Sequence, residues 1–244
     1  MIKFPLSPIF IPANKLDWIT KTFERGADSI ILDLEDSVTE THKKKAREDL
    51  YLHLIDNKYE GNLIVRVNPI DQDLGLDDIK KLTDTDLSID AFMVPKIEDS
   101  SFLSKLPEIN VIPLLETPRS IQNIADIASQ SRVKGLALGG ADLSASLGST
   151  MDWDSLLYAR SKIILEASIN NLFSIDSPFM DINDLESLEK ESKKSKSLGF
   201  DGKAAIHPNQ LEVIQKSFLP SDDEVKEAKN IIKAFNSSSA AVIA

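Results

Sequence analysis

Residues 30–38 read IILDLEDSV. An apolar run ends in three carboxylates, Asp33, Glu35 and Asp36. Charged side chains are almost never buried unpaired. The run is continuous rather than alternating, the mark of a parallel strand covered on both faces. Such a strand has one natural place to present acids. That place is its C-terminal end, where parallel α/β folds open onto a shared cleft.

Seven other runs repeat the pattern. They are SPIFIP from Ser7, NLIVRVN from Asn62, AFMVPK from Ala91, VIPLLET from Val111, GLALGGADL from Gly135, LFSIDSP from Leu172 and KAAIHP from Lys203. Helix-like segments lie between them. One spans 14–25, with Leu16, Ile19 and Phe23 at helical spacing; another spans 154–170, with Leu157, Ile164 and Leu165. Eight strands alternating with helices predict a single-domain (β/α)8 TIM barrel. A doubly wound open sheet is the alternative, but no Gly-rich nucleotide fingerprint follows the first run. In a barrel, the strand ends DLED, RVN, PK, ET, GGADL, IDSP and IHP share one face. Residues 1–220 are assigned to the barrel and 221–244 to a C-terminal helix and tail, packed on the barrel or trailing from it. The tail NSSSAAVIA from Asn236 reads as a frayed end. The charge run KESKKSKSLGF from Lys190 reads as a solvated helix face.

Composition bounds the function. The chain has 244 residues, 28 Lys plus Arg, 39 Asp plus Glu and a net charge of −11. That balance argues against general nucleic-acid or anionic-membrane binding. With no cysteine there are no disulfides, thiolate zinc sites or Cys nucleophiles. No apolar stretch approaches the roughly 20 residues of a membrane span. MIKFPLSPIF lacks the long apolar region of a signal peptide. A cytoplasmic enzyme is the default expectation.

The candidate chemistry sits at the strand ends. Glu116 ends the fifth run and Asp142 the sixth. Adjacent strands lie roughly 4.8 Å apart, so acids at matching heights can hold one hard cation. Mg2+ takes one or two carboxylates and completes its octahedron with water and substrate oxygens. Alternatively, both acids cap the helices that follow them. Arg66 offers a planar fork to a carboxylate or an enolate, and can also pair with Asp33 or Glu35. Lys96 either lowers the charge density of the acid cluster or serves as a Schiff-base lysine. The turn at Gly139 and Gly140 can bring backbone N–H groups to an oxyanion, or can simply join strand to helix. His42 and His53 read as surface residues, and His207 as support for its loop.

Taken in order, FIPAN, ILDLEDSV with KKKARE after it, VRVN, VPKIE, LLET, GGADLSASLG, Ala159–Arg160, GFDGKAAIHPNQ and PSDDEVKEAKNII resemble the HpcH/HpaI aldolase and citrate lyase β-subunit family, in its CitE-like branch. The resemblance covers nearly the whole chain. It implies a (β/α)8 barrel, a homo-oligomer (trimer or hexamer) and a divalent metal, Mg2+ or Mn2+. It also implies making or breaking a C–C bond between an α-keto acid and an acyl-CoA or related thioester, with a small hydroxy or keto acid or its CoA thioester of the citryl, citramalyl or malyl type as substrate. Glu116 and Asp142 match the family's metal ligands and Arg66 its substrate arginine. Asp33, Glu35 and Asp36 match the acidic motif that supports the metal's water shell. Arg66, Asp36 and Lys96 are the candidate catalytic residues. Arg66, Glu116, Gly140, Ala141 and Asp142 are the candidate substrate contacts.

Three departures stand out. Leu6 precedes Ser7 where the family often has Arg, so a substrate or CoA contact is expected to be missing. Ala141 replaces a frequent Glu, which removes one acid. The chain ends soon after EAKNIIKAF, where many relatives continue into a segment that closes over the site. An open site with poor CoA-thioester turnover is therefore expected. The alternative function is a non-catalytic or differently active paralogue that binds a keto acid or serves as an assembly partner.

Overall fold

The computed structural model describes residues 5–85 and 87–237. Eight parallel strands form one curled sheet in sequence order. They are β1 (Ile9–Pro12), β2 (Ser29–Asp33), β3 (Asn62–Arg66), β4 (Ala91–Val94), β5 (Val111–Leu115), β6 (Gly135–Leu138), β7 (Phe173–Asp176) and β8 (Gly202–Lys203). The helices are α1 (Trp18–Glu24), α2 (Lys43–Asp56), α3 (Asp73–Leu82), α4 (Pro118–Gln122), α5 (Ile124–Ala128), α6 (Gly140–Leu147), α7 (Leu157–Asn170), α8 (Leu185–Leu198), α9 (Leu211–Phe218) and α10 (Asp222–Ser237). The segments around β8 and β1 also bond to each other. Lys203 N donates to Leu6 O (3.0 Å), Ala205 N to Pro8 O (2.8 Å) and Phe10 N to Ala205 O (2.9 Å). These bonds join the first and last strands of the sheet.

Successive strand residues point to opposite faces, and the two faces bury different cores. Ile30, Leu32 and Leu34 pack outward in the large cluster between sheet and helices. Ile31 packs inward with Ile64, Ile112, Leu114 and Ile175 in a smaller cluster enclosed by the sheet. This is why the runs read as continuously apolar: both faces are dry. It also fixes where the polar ends go. Counting by twos, Ile112 and Leu114 lead to Glu116, Ile64 to Arg66, and Ile31 to Asp33.

The alternation departs from expectation in two places. No α-helix joins β4 to β5, only a 3-10 segment over Ser100–Lys105. Side chains there bond the local backbone: Asp99 Oδ1 accepts Ser101 N–H (2.9 Å) and Ser104 Oγ donates to Ser101 O (2.6 Å). Such local bonds compete with a helix. The helix predicted over 14–25 begins only at Trp18, because Lys15 N bonds to Pro12 O (2.8 Å) and Trp18 N to Lys15 O (2.9 Å) in successive turns. The Lys190 charge run does lie on α8, where Lys190 and Lys193 pair with exposed Glu186 and Glu189 one turn back. Asn236 and Ser237 belong to α10; the rest of the expected frayed tail, 238–244, lies outside the described residues.

Behind β7 and β8 sits a buried ionic network. The Asp176 carboxylate accepts Arg160 Nε (2.9 Å), Lys203 Nζ (2.9 Å) and Ser195 Oγ (2.5 Å). Lys203 Nζ also donates to Ser177 O (2.6 Å) and Glu191 Oε1 (2.7 Å). Burial opposes ionisation of Asp176, but Lys203 and Arg160 outweigh it and hold the carboxyl below the usual carboxylate range. The network ties two strands to α7 and α8. Removing one member of a buried pair strands the remaining charges and costs about 3–5 kcal/mol. Asp176→Asn is therefore expected to lower unfolding stability by about that amount at pH 7, read from the urea midpoint. A shift near zero would show that the network contributes nothing.

Candidate active site

A cavity of about 380 Å3 opens at the C-terminal strand ends, within the usual range for small-molecule sites. Asp33, Asp36, Arg66, Glu116, Gly140, Ala141 and Asp142 all line it. Lys96 and Glu35 stand just behind this lining, joined to it through Glu116 and Arg66.

Arg66 and Asp33 face each other in register on β3 and β2. Arg66 Nε and Nη2 each donate at 2.7 Å to the two Asp33 oxygens. Asp33 also accepts the N–H groups of Glu35 (2.9 Å) and Ser37 (3.0 Å), which folds the acidic turn back over the strand end. Burial pushes the Asp33 carboxyl up, but Arg66 overrides it and holds the group below its ordinary range. Arg66 Nη1 lies 3.2 Å from Asp36 Oδ2 and 3.1 Å from Glu35 Oε2. The Phe10 ring stacks 4.9 Å from the guanidinium carbon. Arg66 therefore forms the ion pair and also lines the cavity. The loop after β3 is fixed from behind by Asp78, which accepts Asn68 N (3.0 Å), Asn68 Nδ2 (2.7 Å) and Arg47 Nη1 (3.1 Å).

Glu116 is buried, and the N–H of Lys96 donates to its Oε1 at 3.0 Å. Lys96 takes a left-handed backbone, with φ of 55°, to aim that N–H. Its Nζ lies 3.6 Å from Glu35 Oε1, the position for lowering the charge density of the acids. Burial, then the charges of Glu35 and Asp142, push the Glu116 carboxyl up to about 8. Glu116 is not a helix cap. Thr117 caps α4, in a reciprocal box with Ser120. Asp142 lies exposed in the first turn of α6 and makes no capping hydrogen bond.

The acids therefore carry more negative charge than the chain's own groups balance. Glu35 Oε2 is buried without a hydrogen-bond partner, since Arg66 Nη1 approaches it off the required angle. Among the described residues no group of three or more acids or histidines has metal-binding geometry. A two-acid set, Glu116 and Asp142, fits a hard cation that takes its other ligands from water and substrate. Glycine is required beside it. A Cβ on Gly139 would lie 2.5 Å from Glu116 Cβ and 2.7 Å from its Oε2, and one on Gly140 would lie 2.8 Å from Ser177 Oγ. Gly139 is also the N-cap of α6 and offers no side chain to the first-turn N–H groups, which stay free for an anion.

Other residues fall elsewhere. Leu6 sits at the N-terminal edge of the sheet, its N–H bonded to Asp28 Oδ2 (2.8 Å), and does not line the cavity. His207 Nδ1 accepts the Asn209 N–H (3.2 Å) and so orders its loop. Asp176 borders the cavity but turns its carboxylate outward into the network behind β7. The sequence reading missed the apolar walls, Phe10, Met93, Leu114, Ile175 and Ala204. Stepping back by two from each polar strand end finds most of them.

A curled parallel sheet with acids and an arginine at its C-terminal ends defines an α/β enzyme scaffold. The chain belongs to the HpcH/HpaI aldolase/citrate lyase family, a family of carbon–carbon lyases, whose model matches residues 6–208. It is 30% identical to the citrate lyase subunit beta of Leuconostoc mesenteroides subsp. cremoris, over 93% of this chain and 80% of that one. It is 33% identical to a (3S)-malyl-CoA thioesterase of Cereibacter sphaeroides, over 94% of this chain and 82% of that one. The structure of the CitE protein of Mycobacterium tuberculosis with magnesium, acetoacetate and coenzyme A superposes with a TM-score of 0.86. That match has 30% identity and covers 98% of this chain and 90% of the other.

The raised Glu116 pKa carries a consequence for stability. Between its ordinary value of 4.5 and about 8, the folded state keeps a proton that the unfolded state has released. Stability then falls as pH rises through that window, by at most about 1.4 kcal/mol per pH unit. Urea unfolding in EDTA is expected to show this decline in the wild type and a flatter profile in Glu116→Gln. Equal slopes in the two proteins would mean that Glu116 ionises normally.

Proposed function

We propose that this chain is a Mg2+-dependent carbon–carbon lyase that cleaves a small 2-hydroxy acid thioester into a 2-keto acid and an acyl thioester. We also propose that the bonds between β8 and β1 close a full (β/α)8 barrel around the site. The observation that carries the function is the pairing of Glu116 and Asp142 on the lining of one cavity, with Arg66 the one cation among the described residues that line it. The likeness to a magnesium- and coenzyme-A-bound structure supports it.

Glu116 and Asp142 would hold the metal, which when bound supplies Lewis acidity to the hydroxyl or keto oxygen of the substrate. The first-turn N–H groups of α6 and the Arg66 fork orient the carboxylate and stabilise the enolate. Asp33, Glu35 and Asp36 fix Arg66 and would support the water shell of a bound metal. Of these three, Asp36 is the exposed one, and it lines the cavity. Lys96 positions Glu116 through its N–H and offsets Glu35 through its ammonium.

Calorimetry is expected to show Mg2+ binding to the wild type and its loss in Glu116→Ala and Asp142→Ala, with unchanged circular dichroism. Unaltered affinity in both would reject the metal assignment. Arg66→Lys keeps the charge but not the fork, and turnover of a malyl-, citramalyl- or citryl-CoA panel should drop by about 10²–10³-fold. Near-normal turnover would leave Arg66 a structural residue. Thioester hydrolysis is the second reading, favoured by the likeness to a malyl-CoA thioesterase. Product analysis separates the two: lysis yields a keto acid and an acyl thioester, hydrolysis a free thiol.

A further inference from the structure

Gly140 opens α6, and its backbone packs directly on two side chains. A Cβ there would lie 2.8 Å from Ser177 Oγ, 3.0 Å from Ser177 Cβ and 3.1 Å from Met151 Cε. Its neighbour Gly139 packs in the same way on Glu116. Asp142 follows in the first turn of the same helix. Ser177 is fully buried and, among the described residues, its hydroxyl has no hydrogen-bond partner. What that side chain does at this point is fill the space against Gly140.

Both contacts are tied to the ionic network behind β7 and β8. Lys203 Nζ donates to the Ser177 carbonyl (2.6 Å) while it also meets Asp176 (2.9 Å) and Glu191 (2.7 Å). Arg160 holds the other Asp176 oxygen (2.9 Å) and donates Nη1 to Trp153 O (3.4 Å). Its guanidinium carbon also lies 4.5 Å from the centre of the Trp153 ring. Trp153 stands beside Met151 in the connection from α6 to α7. Ser177 is the firm jaw, because its Cβ is one bond from the backbone that Lys203 holds. Met151 is the soft jaw, because it reaches Gly140 with the end of a flexible chain. Two arms of one network thus converge on one glycine.

We propose that Lys203 and Arg160 are positioning residues: through Ser177 and Met151 they clamp Gly140 and so set the place of Asp142 relative to Glu116. The purpose of the clamp rests on the metal reading given above; its geometry does not. Mg2+ demands near-ideal octahedral geometry, and groups that orient metal ligands are worth about 10–100-fold in affinity. A network that only stabilised the fold would act differently. A weakened chain that is still folded keeps the affinity of its native state, since only the unfolded fraction is lost to binding.

The test titrates Mg2+ calorimetrically into folded wild type, Gly140→Ala, Lys203→Met and the double variant Gly140→Ala with Ser177→Gly. Arg132→Met is the control, because it removes hydrogen bonds to Leu103 O and Leu106 O ahead of β5, away from the clamp. Gly140→Ala and Lys203→Met are expected to bind Mg2+ about 10–100-fold more weakly. The double variant, which makes room for the new methyl group, should recover most of the loss, and Arg132→Met should bind normally. Hydrogen exchange of the metal-free chains, read at times too short for global unfolding, should quicken over 143–147 in Lys203→Met and not in Arg132→Met. Wild-type affinity in both Gly140→Ala and Lys203→Met, or wild-type exchange over 143–147 in Lys203→Met, would overturn the proposal. If Lys203→Met does not fold, Met151→Ala, at a half-buried position, takes its place in both measurements. A wild type that binds no Mg2+ would reject the metal reading, and the exchange result would then decide the clamp.

Discussion

Asp33 and Arg66 meet inside the sheet through two hydrogen bonds of 2.7 Å, one residue from β2 and one from β3 at the same register. The site is arranged around this pair. A guanidinium enclosed by apolar strands would be prohibitive alone, and so would a carboxylate. Together they satisfy each other, and the remaining Asp33 capacity takes two backbone N–H groups from the turn that follows. That turn sets Glu35 and Asp36 on the other side of the guanidinium. One bidentate contact thus orients an arginine, three acids and a loop.

The cost appears two strands over, at the end of β5. Arg66 serves three carboxylates and has little positive charge left for a fourth and fifth. Glu116 stays partly protonated near neutral pH because burial and the charges of Glu35 and Asp142 oppose its ionisation. Among the described residues that line the cavity, the acids outnumber the one cation, Arg66. The strained backbone at Lys96 and the enforced closeness of Gly139 belong to the same arrangement, since both fix Glu116 where it is. Backbone strain that persists beside such a group marks a site held for function.

The network of Asp176, Arg160, Lys203 and Glu191 shows the opposite solution. There the charges balance within the chain, are buried, and tie β7 and β8 to α7 and α8. It lies on the outer face of the sheet, while the acids of the cavity lie on the inner face. Two clusters of similar composition, near each other in the fold, therefore do different work. The difference is that the network's acids meet cations of the chain at hydrogen-bond distance, while among the described residues the cavity's acids share one arginine.

The sequence by itself determined the strand runs, their number and the polar residues at their ends, because apolar continuity and a period of two are local properties. Asp33, Glu35, Asp36, Arg66, Glu116, Asp142, Gly139 and Gly140 were legible for that reason. Which way each side chain points depends on register and curl, which no local pattern contains. Asp176 and Glu116 both end strand runs, yet one faces helices and the other the cavity. The tertiary structure alone decided that Leu6 lies at the far edge, that Ser100–Lys105 makes no α-helix, and that Phe10, Met93 and Ile175 wall the site. It also fixed the pairing of Arg66 that the sequence left open between Asp33 and Glu35: the two fork hydrogen bonds of 2.7 Å go to Asp33. Contacts between distant residues follow from the pairing and register of the strands, and sequence spacing constrains these only weakly.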